Sequence, residues 1–226
     1  MKNVWFTADT HFGHLKIPLY ARREFCLDKG ELAKANAIWQ DGHRNSDWSP
    51  SAESVARMDE KLIENINSCV GRDDILWHLG DFCWNKSGSA AAAARYLERI
   101  NCRNVFLVAG NHDAPEMRGS FPACYEYREI KVQSKIVILS HYAHCFWNRS
   151  HYGSWMLYGH AHGSAEEWMD FYMPGRLSMD VGVDNAYRVL GEYRPFSFPE
   201  ISSIMKSRRG FQMDKGRFTS PEIAIR

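Results

Sequence analysis

The ten residues "NVFLVAGNHD", Asn104 to Asp113, open as an apolar, β-branched run, break at a glycine and end in three potential donor side chains. Such a run reads as a buried strand whose carboxyl end carries polar groups. The same grammar recurs in "DDILWHLGD" (73–81) and, at the start of the chain, in "NVWFTAD" (3–9). Between these runs lie helical patterns. Ser49 and Pro50 suggest the start of a helix in which Val55, Met58, Leu62 and Ile66 share one face. "SGSAAAAARYLERI" (87–100) is a second helix, rich in alanine.

The second half changes character. "CYEYREIKV" (124–132), "SKIVILSHY" (134–142), "SWMLYGHAH" (154–162) and "RLSMDVGVD" (176–184) are strand-like with short connections, and a last helix begins near Pro199. Strand–helix alternation followed by a strand-rich half predicts α/β layers around two packed sheets. No linker or internal repeat divides the chain, so a single domain over residues 1–226 is expected.

With 45% hydrophobic and 24% charged residues in 226, the chain has the composition of an ordinary globular protein. A formal charge of +1 provides no global field for an extended nucleic acid or an anionic membrane. The six cysteines contain no C-x-x-C pair, which argues against a zinc ribbon or finger. With no signal-peptide or membrane-spanning run, a cytoplasmic protein with reduced thiols is expected. The basic stretch "KSRRGFQMDKGRF" (206–218) reads as a solvated terminus.

Five of the ten histidines fall between Ser140 and Gly163. Five motifs at strand ends explain much of this density: Asp9-Thr10-His11, Gly80-Asp81, Gly110-Asn111-His112-Asp113, Ser140-His141 and Gly159-His160-Ala161-His162. They offer carboxylate, imidazole and amide donors without a thiolate, a set suited to Mn, Fe, Zn, Co or Ni. If the strands continue, D-x-H and H-x-H each put both side chains on one face, because strand side chains repeat every two residues.

This ordered set resembles the calcineurin-like metallophosphoesterase family, and "TADTHFGH", "LWHLGDF", "GNHD", "SWMLYGHAHG" and "DVGVD" resemble a small bacterial and phage branch of it. The resemblance implies a four-layer α/β/β/α sandwich of two mixed β-sheets flanked by helices, with two divalent ions at one rim, manganese ahead of iron, zinc, nickel or cobalt. By the same resemblance, Asp9, His11 and His162 hold one ion, Asn111, His141 and His160 hold the other, and Asp81 bridges them. His112 faces the leaving group as general acid, with Asp113 orienting it. Ser140 stands where many relatives have glycine, and the tract 28–48 is extra material near the expected substrate rim.

The expected function is phosphoester hydrolysis by a metal-bound hydroxide, with small or nucleotide-like phosphodiesters ahead of phosphomonoesters or phosphoproteins. A catalytically silent scaffold of the same fold is the alternative from another class. Arg22, Arg23, Asn148, Arg149 and His151 are candidate substrate contacts, since guanidinium forks suit phosphate. Phe146, Trp147, Trp155 and Tyr158 could stack on a base or fill the core. His78, Cys83, Asp180 and Asp184 read as structural, and His14 as a residue of the site's mouth or a support. His43, His144 and His151 have no expected metal role. Oligomeric state is not legible.

Overall fold

The computed structural model describes residues 2–42, 47–84 and 89–208; His43, the first two residues of the alanine-rich stretch and most of the basic tail lie outside them. The elements in the first half are β1 (Val4–Thr7), α1 (Ile17–Tyr20), α2 (Lys29–Gln40), α3 (Ala52–Cys69), β2 (Ile75–His78), α4 (Ser89–Leu97), β3 (Asn104–Val108), α5 (Pro115–Arg118) and β4 (Cys124–Tyr125). They are followed by β5 (Tyr127–Val132), β6 (Lys135–Ser140), β7 (Trp155–Tyr158), α6 (Glu166–Tyr172), β8 (Ser178–Asp180), α7 (Val183–Leu190), β9 (Phe196–Ser197) and α8 (Phe198–Ser207).

One sheet has the order β4-β3-β2-β1-β9 and the other β5-β6-β7-β8. Strands β1 to β4 run parallel, as do β6 to β8, while β9 and β5 are antiparallel edges, so both sheets are mixed. Side-chain alternation sorts each apolar run into layers. Phe6, Trp77 and Val108 face Val137, Leu139, Trp155 and Leu157 of the other sheet, forming the core between the sheets. Leu76, Val105 and Leu107 point outward and pack against Val55, Met58, Leu62 and Ile66 of α3. Ile138, Met156 and Tyr158 point out of the second sheet and are covered by Met169 of α6. The result is the expected α/β/β/α sandwich.

Several details depart from the sequence expectation. Ser51, not Ser49, caps α3, accepting from Ser54 N–H at 3.2 Å. "CYEYREIKV" is not one strand: β4 belongs to the first sheet and β5 to the second. "RLSMDVGVD" stops as a strand at Asp180, and Val183 already begins α7. Val183 N–H donates to Ala8 O at 3.0 Å, and Ala8 bridges Gly182, so the two sheets are stitched together at one rim. That rim collects the carboxyl ends of β1, β2, β3, β6, β7 and β8, the position where open α/β sheets bind ligands.

Candidate metal centre

At this rim the chain leaves the strands abruptly. Asp9, His11, Asp81, His160 and His162 all have positive φ, between 49° and 69°, in the left-handed region. Asp and His tolerate that region better than bulky residues do, and such strain collects at functional sites. The kinks correct the expectation that H-x-H and D-x-H continue their strands. His160 and His162 are instead divided between two donor groups, one of Asp9, His11 and His162 and the other of Asp81, His141 and His160. Within each group one donor atom per residue lies within 4.8 Å of the others. His11 and His162 rings stack at 5.2 Å, while His141 and His160 meet edge-on at 5.1 Å.

Asp81 lies between the groups. Its Oδ2 is 3.5 Å from His11 Nε2 and 3.5 Å from His141 Nε2. Burial raises the Asp81 carboxyl, but the hydrogen bond and charge of His141 above all outweigh it and hold the group below the usual carboxylate range. Asn111 joins the second group from β3, its Oδ1 3.1 Å from His141 Nε2. The backbone that carries Asp81 is crowded. Gly80 has φ +97°, and a Cβ there would come within 2.6 Å of Gly110 N. Gly80→Ala is therefore expected to destabilise the fold by about 2 kcal/mol or more, a fall of roughly 4–8 °C in Tm. Thermal unfolding of the variant checks this; an unchanged Tm would show that the turn can relax.

The donors fit divalent cations. Both ring nitrogens of His11 are buried without a hydrogen-bond partner, although nearly all buried polar atoms in folded proteins have one. Burial above all pushes this imidazole well below its ordinary pKa, so it is neutral and ready to donate a lone pair. His141 Nδ1 is 2.8 Å from Leu79 O and donates to it, which fixes the tautomer and turns Nε2 toward the site. Burial, then the carboxylates of Asp180, Asp81 and Asp184, push the Asp9 carboxyl well above its usual range. Cations at this rim would relieve that crowding of negative charge.

Other residues stand elsewhere than expected. Asp113 does not reach the His112 ring: its carboxylate accepts from Asp81 N, Phe82 N and Gly110 N at 2.8–2.9 Å. It therefore ties together the two turns that present Asp81 and Asn111. The His112 ring is exposed at the site, its centroid 5.5 Å from His11 and 4.8 Å from Trp84, and its backbone N–H donates to Asp81 Oδ1 at 2.9 Å. Trp84, which the sequence did not single out, also meets His14 edge-on at 4.2 Å. Among the residues read as structural, His78 is buried against Thr10 Oγ1 at 2.9 Å. Cys83 Sγ lies 3.3 Å from Met117 Sδ.

Arg23 is no substrate contact. It is fully buried, with Nε and Nη2 on the two Asp184 oxygens at 2.8 and 2.9 Å and further bonds to Thr10 O and Asp9 O. Asp184 Oδ2 in turn lies 2.6 Å from His162 Nδ1. The guanidinium thus fixes both the Asp9 turn and, through Asp184, the orientation of His162. Asp180 accepts from Gly163 N and Gly182 N at 2.9 and 2.6 Å and braces the loop after His162.

Asn148, Arg149 and His151 are exposed near the other end of the second sheet. Asn148 donates to Glu129 in β5, and Arg149 O accepts from Ser154 N just before β7. Gly153 O accepts from Lys135 at the start of β6. A parallel crossover must carry the chain back along the sheet, about 17 Å over the length of β6, so this loop leaves the rim. His144 pairs with Ser140 Oγ at 3.1 Å. Trp155 and Tyr158 are core residues on opposite faces of β7, and Trp147 packs against the cluster that holds Tyr158.

A calcineurin-like phosphoesterase model matches residues 2–191, nearly the whole arrangement described above. The chain belongs to the calcineurin-like phosphoesterase family. It is 26% identical to an uncharacterised protein of Methanocaldococcus jannaschii, over 91% of this chain and 93% of that one. It is 24% identical to the gene 66 protein of Mycobacterium phage L5, over 72% of this chain and 78% of the relative. A protein of unknown function from Aquifex aeolicus has a similar fold, with a TM-score of 0.55 at 19% identity, covering 90% of this chain and 100% of that one. Metal-dependent phosphoester hydrolysis is the general chemistry of this calcineurin-like family, and no helix among the described residues is long and apolar enough to cross a membrane.

Proposed function

We propose that this calcineurin-like phosphoesterase hydrolyses small phosphodiesters at a dinuclear centre. The observation that carries the reading is Asp81 Oδ2 at 3.5 Å from both His11 and His141, which belong to separate donor groups. A carboxylate that faces both donor groups suits a pair of neighbouring divalent ions. Asp9, His11 and His162 would hold one ion, and Asn111, His141 and His160 the other. When bound, two such ions supply Lewis-acid chemistry and lower the pKa of water. Manganese is the first metal to supply, with iron, zinc, nickel and cobalt as the further candidates.

In this proposal the protein's own contribution is positioning and proton handling. The kinked turns hold the donors at one rim, Asp113 clamps the Asp81 and Asn111 turns, and the exposed His112 protonates the departing oxygen. His112→Ala is expected to keep both ions and lose about 10²–10⁴-fold in turnover of alkyl esters, with a smaller loss on p-nitrophenyl esters, whose leaving group hardly needs a proton. Metal analysis and steady-state rates check this; an equal loss on both kinds of ester removes His112 from the acid role. A single domain, a small-molecule substrate and a cytoplasmic setting belong to the same proposal. Hydrolysis of bis(p-nitrophenyl) phosphate and p-nitrophenyl phosphate in Mn²⁺ tests it: faster diester cleavage supports it, monoester preference makes it a phosphomonoesterase, and inertness with both ions bound makes it a scaffold.

A further inference from the structure

A cleft of about 1020 Å³ opens beside His160 and His162, walled on one side by α1 and α2 and on the other by α7 and Tyr193. It is at the upper end of the size of small-molecule sites. The aromatic residues that the sequence put forward for stacking are elsewhere, but this cleft has its own. Tyr20 and Tyr187 are 47% and 50% exposed, so much of each ring is open to a ligand. Trp39 is held in place, its indole N–H donating to Leu19 O at 2.8 Å and its ring carrying the Arg22 guanidinium at 5.3 Å. Tyr187 lies parallel on Tyr193, with centroids 4.4 Å apart and ring planes within 7°. From the centre, His11, His14 and Tyr20 form a line of rings with steps of 5.7 and 6.2 Å, so the aromatic wall adjoins the donor groups.

The wall is built, not incidental. Helix α2, the core of the extra tract, starts in a capping box between Asp28 and Glu31. Glu31 also accepts from Ser51 N at 2.6 Å and from the Ser54 hydroxyl, which moors α2 to the start of α3. Rings held this way lose little freedom on meeting a flat partner.

We propose that this cleft binds a nucleobase, which makes the substrate a nucleobase-bearing phosphoester; the inference rests on the phosphoester reading of the adjoining centre. Flat π faces beside the Arg22 guanidinium suit a heteroaromatic ring carrying ring-nitrogen or carbonyl acceptors and a phosphate, and base stacking on such rings tolerates every base. An aliphatic tail would make no use of Arg22 or of the aromatic edges.

The test compares two diesters with the same leaving group, thymidine 5′-(p-nitrophenyl) phosphate and methyl p-nitrophenyl phosphate, in Mn²⁺. The nucleoside ester is expected to have a kcat/KM roughly tenfold or more higher. Tyr20→Ala and Tyr187→Ala, both at half-exposed positions where folding is little at risk, should bring that ratio toward one through KM. Equal rates in the parent protein, or a ratio unmoved by both substitutions, overturn the inference. If neither ester is cleaved, the hydrolase reading fails separately, and calorimetric titration of adenosine monophosphate and ribose 5-phosphate into the full chain decides the cleft. Tighter binding of adenosine monophosphate, weakened by Tyr20→Ala, sustains the nucleobase site; equal binding of both, or of neither, overturns it.

Discussion

Asp81→Asn is expected to lower kcat/KM on phosphodiesters by more than about 100-fold and to leave the purified protein with fewer bound ions per chain. Losing a group that merely supports a ligand costs about 10–100-fold in affinity or activity. Asp81 should exceed that because both donor groups depend on it, with Oδ2 at 3.5 Å from His11 and His141. Asparagine keeps the size and one acceptor oxygen but removes the charge and the second oxygen. The surrounding fold should survive, since the Asp81 backbone N–H is held by Asp113 at 2.8 Å whatever the side chain. Metal analysis beside circular dichroism separates the two effects. A folded variant with full activity and two ions would remove Asp81 from the centre.

The second large effect concerns Arg23. Arg23→Met leaves Asp184 buried without its cation, and breaking one half of a buried pair costs about 3–5 kcal/mol. For a chain of this size that is a fall of roughly 6–20 °C in Tm. Replacing both, as Arg23→Met with Asp184→Leu, should recover much of the stability while leaving His162 without its Nδ1 partner, so ion binding stays impaired. A double variant no more stable than the single one would show that the bonds to Asp9 O and Thr10 O, not the charge pair, carry the stability.

The pair also has a pH signature. Burial raises the Asp184 carboxyl, but Arg23 and then His162 outweigh it and hold it down at about 2. An unfolded aspartate titrates near 3.9, so between those values the unfolded chain binds the proton first. The stabilisation is therefore present above about pH 4 and lost as pH falls toward 2. Acid unfolding of the parent should be steeper over that window than that of the double variant.

The layers of the fold were legible because each apolar strand alternates, sending Phe6, Trp77 and Leu139 to the inner core and Leu76, Leu107 and Ile138 outward. The strand ends were legible through the glycine or serine in four of the five donor motifs, all but Asp9-Thr10-His11. The local path of the chain was not, since nothing in D-x-H or H-x-H announces the left-handed turns that send His160 and His162 to different groups. Arg23 read as a candidate substrate contact because its true partner lies 161 residues away, in a segment read as a strand that is in fact the first turn of α7. Asn148, Arg149 and His151 misled for the opposite reason: close to His141 in sequence, they are carried off by a parallel crossover. The aromatic wall of the cleft was not legible, although Arg22 and the tract 28–48 pointed to the rim, because Tyr20, Trp39 and Tyr187 come from three separate helices.

The most direct measurement is anomalous scattering from crystals of the protein grown in Mn²⁺. The account predicts two manganese peaks roughly 3.5–4 Å apart, with the Asp81 carboxylate between them, one against Asp9, His11 and His162 and the other against Asn111, His141 and His160. A single peak, or two peaks that do not share Asp81, would contradict it.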